Sequence, residues 1–125
     1  MTREAFFAGV RNAKAGNHLN DICAAIGDYA ESRGCGVVRE LTGHGIGTDM
    51  HEDPDIPNFR MNHKGIRLRP GMTLAVEPMF TMGSREVAWL DDGWTVVTVD
   101  GRLSAHFEHT IAITPDGPRI LTLCE

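Results

Sequence analysis

The chain has 125 residues, of which 42% are hydrophobic and 23% charged, the balance of an ordinary globular protein long enough to bury one core. A net charge of -5 argues against nucleic acid as the main partner, because phosphate backbones are met by basic faces. No apolar run approaches the roughly 20 residues a membrane-spanning helix needs, and Met1-Thr2-Arg3-Glu4-Ala5 lacks a signal peptide's apolar segment, so a cytoplasmic location is expected.

Two helices are expected to open the chain. Thr2, Glu4 and Ala5 suit a helix start, with the first helix running through Phe6, Phe7, Val10 and Arg11 towards Gly16. Asn20 is the expected N-cap of the second, Asp21 suits its first turn, and Ile22, Ile26 and Tyr29 form one apolar stripe before Gly34 ends it. The period then becomes strand-like. Met72, Leu74 and Val76 alternate with Thr73, Ala75 and Glu77, while Trp94 to Val99 and Phe107 to Thr114 are rich in β-branched and aromatic residues. Asp91-Asp92-Gly93, Asp100-Gly101 and Asp116-Gly117-Pro118 supply turns, and the stretches from Asp49 to Pro70 read as loop. The pattern is α+β, two helices packed on an antiparallel sheet, with residues 1–125 as a single unit. Cys23, Cys35 and Cys124 are odd in number without CxxC spacing, which suits reduced structural thiols.

Three places offer metal ligands. His44 lies between glycines in Gly43-His44-Gly45-Ile46-Gly47, with His51 and the acids Glu52 and Asp53 following. Glu77 ends an apolar strand, where an unpaired carboxylate is costly. Glu108 is expected mid-strand in Phe107-Glu108-His109-Thr110. Singly, each has a plainer explanation: a turn histidine, a solvated strand glutamate. Together, one imidazole and two carboxylates form a mixed N/O set suited to Zn, Mn, Co or Fe(II). His51, with either His106 or His109, is expected close enough to support those ligands.

The wording of three ordered segments adds a resemblance. GHGIGTDMHEDP, RPGMTLAVEPM and DDGWTVVTVDGRLSAHFEHTI resemble successive signature segments of type I methionine aminopeptidases. The resemblance implies the pita-bread fold, two pseudo-symmetric α+β halves around a dinuclear metal centre, of which this chain resembles the C-terminal half. It implies His44, Glu77 and Glu108 as metal ligands, Glu108 bridging both ions. His51 is implied as the histidine at the scissile peptide, with Glu77 as the catalytic proton carrier. Trp94 and Met50 are implied at the methionine pocket, and the cofactors are divalent Co, Mn, Fe or Zn.

The same resemblance leaves gaps. Two aspartate ligands of the family belong to the other half, and Asp91, Asp92, Asp100 and Asp116 are turn residues without the strand setting those ligands require. One cation or none is therefore expected here, with activity towards N-terminal methionine peptides depending on a missing N-terminal half or on self-association. A catalytically inactive metal- or peptide-binding module is the alternative. A proline-specific enzyme of the same fold fits the EPM and FEHT wording less well.

Overall fold

The structure, a computed structural model, describes residues 1–123 of the chain; Cys124 lies outside the described residues. Two helices come first, α1 (Thr2–Val10) and α2 (Leu19–Ser32). Every fourth or third residue of α1 turns inward, so Ala5, Phe6, Gly9 and Val10 are buried. The helices approach closely at Gly9, where an added Cβ would stand 2.6 Å from Ile26 Cγ1. α2 begins two residues earlier than the sequence suggests. Its N-cap is His18, whose backbone N–H donates to Asp21 Oδ2 at 2.8 Å. Asn20, expected as the cap, instead accepts the Met61 N–H at 2.8 Å and ties down the long loop that follows. Gly34 does take the positive φ (69°) that ends a helix.

Ten strands follow among the described residues: β1 (Gly36–Val37), β2 (Gly43–Gly45), β3 (Glu52–Ile56), β4 (Thr73–Val76), β5 (Met79–Thr81), β6 (Val87–Trp89), β7 (Val96–Thr98), β8 (Ser104–His106), β9 (His109–Thr114) and β10 (Gly117–Ile120). They form a five-stranded sheet in the order β10-β9-β4-β2-β3, a three-stranded sheet β1-β5-β8, and a ribbon β6-β7. All named pairings are antiparallel.

Two expectations are corrected here. The acid-rich segment around Glu52 and Asp53 is not a loop but strand β3, and it tolerates Pro54 because it lies at the sheet edge. Glu108 is not mid-strand: β8 ends at His106 and β9 begins at His109.

The core explains which sheet face is free for chemistry. Phe6, Ile22 and Ile26 from the helices cluster with Leu74, Val76, Ile111 and Ile113. Leu74 and Ile111 are register partners, so these strand residues occupy one face, covered by the helices. The opposite face carries Ala75 and, by alternation, Glu77. No helix among the described residues is long and apolar enough to cross a membrane.

Candidate metal centre

The site lies where one antiparallel ribbon passes from one sheet to the other. β4 pairs with β9 up to Val76 opposite His109, and β5 pairs with β8 from Met79 opposite His106. The register is the same on both sides of the break, so Glu77 stands opposite Glu108 and Pro78 opposite Phe107. Pro78 has no N–H to give, while its carbonyl accepts the Phe107 N–H at 3.1 Å. The strands therefore stay aligned while the regular ladder is interrupted at the two glutamates. On the other side, β2 brings His44 opposite Ala75. Directly opposed residues share a face, and so do residues two apart along a strand. His44, Ala75, Glu77, Glu108 and His106 consequently project from one side.

The glycines around His44 are required by contact. A Cβ on Gly43 would collide with the Ala75 carbonyl oxygen, and one on Gly45 with the Asp53 carbonyl oxygen. Gly43 and Gly45 thus let β2 sit between β4 and β3 with the imidazole held buried (8% exposed).

His44, Glu77 and Glu108 each offer one donor atom within 4.8 Å of the others. His44 Nε2 is 3.0 Å from Glu77 Oε2. His44 Nδ1 lies 2.9 Å from the Gly45 carbonyl, which can only accept, so Nδ1 carries the proton. In the neutral ring, Nε2 then presents a lone pair to a carboxylate oxygen. That contact is favourable only with a proton or a cation between the two atoms. Burial foremost, and then the charge of Glu108, hold the Glu77 carboxyl above the usual carboxylate range, against the opposing pull of His44. A desolvated carboxylate beside a second carboxylate and an imidazole lone pair fits a divalent cation of the Zn, Mn, Co or Fe(II) type.

Of the remaining sequence candidates, His51 is at the site, its ring centroid 4.2 Å from that of His44. Both rings line an open cleft of about 570 Å³ together with Thr42, Asp49, Glu52, Asp53 and Asp55. The sequence reads this segment as loop, and the pairing of β3 with β2 is what brings Glu52, Asp53 and Asp55 beside His44. His106 and His109 separate cleanly. His106 Nε2 is 3.4 Å from Glu77 Oε1 and 3.7 Å from Glu108 Oε2. His109 is on the helix face, edge-on to Phe6 and Phe107, with Nδ1 2.7 Å from Thr122 Oγ1. Alternation was the available signal: 106 and 108 share a face, and 109 does not. Trp94 and Met50 are not gathered into a pocket wall; Trp94 is 87% exposed in the turn between β6 and β7, and Met50 is 72% exposed.

Comparison with known proteins agrees with this geometry. Residues 1–115 match metallopeptidase family M24. The chain is 55% identical over 123 residues to a methionine aminopeptidase of Clostridium perfringens, covering 98% of this chain and 49% of that protein. It is equally 55% identical to methionine aminopeptidase 1 of Bacillus subtilis, again covering 98% and 49%. The crystal structure of the Thermotoga maritima methionine aminopeptidase superposes with a TM-score of 0.93 at 49% identity, over 97% of this chain and 49% of that one. The prolidase of Pyrococcus horikoshii, at 23% identity and a TM-score of 0.68, shares the fold. The expected α+β half of a pita-bread fold is thus present, and the chain spans about half the length of the relatives it matches. With its match running from residue 1 to residue 115, the chain belongs to metallopeptidase family M24.

Proposed function

We infer that this chain is the C-terminal, metal-holding half of an enzyme that removes the N-terminal methionine from proteins and peptides in the cytoplasm. The observation that carries the reading is the convergence of His44, Glu77 and Glu108 on one face, donor atoms within 4.8 Å of one another. The 55% identity to methionine aminopeptidases supports the choice of substrate. The unit it forms, residues 1–125, needs a second half, supplied by another chain or by a second copy. The exposed Met50, Trp94 and Leu103, each more than 70% accessible, are the residues such association would cover.

A divalent cation held by His44, Glu77 and Glu108 would supply Lewis-acid polarisation of the scissile carbonyl and acidify a water. The protein's own groups do the rest. His44 is oriented by the Gly45 carbonyl, which keeps Nε2 free to bind. Glu77, with its raised pKa, is suited to accept a proton from water and return it to the leaving amine. His51, whose ring lies beside that of His44, would donate a hydrogen bond to the peptide carbonyl. Trp94 and Met50 would border the methionine side chain once a second half closes over them.

The test is hydrolysis of a Met-Ala-Ser peptide by the purified chain with Mn or Co, run beside size-exclusion chromatography. Methionine release by an associated species, lost in Glu108→Ala, is the expected result. Tight metal binding by an associated species that releases no methionine would refute the reading in favour of a non-catalytic binding module.

A further inference from the structure

Asn58 is fully buried, yet only one end of its amide is paired. Its Nδ2 donates to the Glu77 carbonyl oxygen at 2.8 Å, 19 residues away in sequence. Its Oδ1 has no hydrogen-bond partner among the described residues. A buried amide with one end unpaired is costly, and an apolar side chain of similar size would avoid that cost. Resting on the metal reading above, we propose that Asn58 is a positioning residue for the metal centre. Its amide fixes the Glu77 peptide, and through it the direction from which the Glu77 carboxylate meets the ion.

The need for such a group follows from the break in the ribbon. The Pro78 carbonyl accepts from Phe107 on one flank of the strand, and the Met79 carbonyl accepts from Val38 on the other. Carbonyls along an extended chain alternate between flanks, so that of Glu77 points to the flank of Val38. There β2 pairs with β4 only as far as Ala75, opposite His44, and β1 pairs with β5 at Phe80 and Thr81. Neither strand reaches Glu77, and the Asn58 amide takes the place of the missing strand neighbour. Pro78, the next residue, has no N–H with which to fix the shared peptide. Asn58 is itself anchored. It follows β3, and the chain there packs on α2: a Cβ on Gly27 would stand 2.8 Å from Phe59 Cα and 3.3 Å from the Asn58 carbonyl oxygen. Arg60 ties the same stretch to that helix, its guanidinium 2.7 Å from the Asp28 carboxylate. Removing a group that orients a metal ligand typically weakens metal binding about 10–100-fold.

The experiment compares wild type with Asn58→Leu in three respects: Co(II) affinity by chelator competition, visible absorption of the Co(II)-loaded chain, and urea denaturation without metal. Leucine is close to asparagine in size and exchanges one unpaired oxygen, Asn58 Oδ1, for another, the Glu77 carbonyl, so the urea midpoint should hold. Co(II) binding weakened at least tenfold, with an altered absorption band at an unchanged midpoint, would support the proposal. Unchanged affinity and band would overturn it and leave the metal centre standing. A second measurement on wild type decides the matter if the variant is destabilised or unfolded. Coupling is reciprocal, so a bond that strengthens metal binding about tenfold is itself strengthened about tenfold by the metal. Zn(II) should therefore slow solvent exchange of the Asn58 side-chain amide, followed by NMR, about tenfold more than that of the Asn17 amide, which donates to the Asn12 carbonyl. Equal slowing of the two amides would overturn the proposal. Absence of Co(II) and Zn(II) binding in folded wild type would overturn the metal reading with it.

Discussion

Gly43→Ala tests whether strand packing holds the site. The added methyl would collide with the Ala75 carbonyl oxygen and stand 3.3 Å from Ile56 Cβ. The first obstacle is backbone and cannot rotate away. Carbon–oxygen contacts settle at about 3.3–3.6 Å, so β2 would have to move off β4 by roughly 1 Å. Overpacking of this kind costs about 1–3 kcal/mol. For a chain of this size that is a fall in Tm of roughly 4–15 °C. The same shift would carry His44 away from Glu77, now 3.0 Å from it, beyond joint reach of one ion. Urea denaturation of the metal-free protein should show the destabilisation, and chelator competition should show Co(II) binding weakened at least tenfold. A variant within about 0.5 kcal/mol of wild type, the ordinary range for a neutral surface change, with unchanged Co(II) affinity would refute the argument that the glycine sets the separation of β2 and β4.

Two further predictions concern groups away from the centre. Burial pushes the Cys23 thiol up to about 12, whereas Cys35 is only partly buried; mass-resolved alkylation of native protein at pH 8 should modify Cys35 first and reach Cys23 only on unfolding. The Asp92 carboxyl is held below its usual range by the Thr95 hydroxyl and by the amides of Thr95 and Trp94. A depressed folded-state value means this contribution is present at neutral pH and lost as pH falls through that value. In Thr95→Val, NMR titration should find Asp92 moved up towards an ordinary aspartate, and an unmoved midpoint would count against the hydroxyl's role.

The amino-acid sequence by itself determined the local features. Periodicity placed both helices, and alternation placed Glu77 with Ala75 opposite the apolar face, because both follow from neighbours along the chain. The wording around His44, Glu77 and Glu108 identified the family for the same reason. Other features depended on pairing between distant segments. Asn20 looked like a cap but serves the Met61 backbone across the loop. The segment at Glu52 became a strand only because an edge beside β2 was available to it. Alternation alone puts His106 on the face of Glu108 and His109 on the other; what those faces meet, the Glu77 carboxylate on one side and the aromatic core on the other, needed the register of β8 and β9 against β5 and β4. The convergence of the donors was likewise a tertiary outcome: three segments remote in sequence meet because antiparallel hydrogen bonding sets His44 opposite Ala75 and carries Glu77 opposite Glu108.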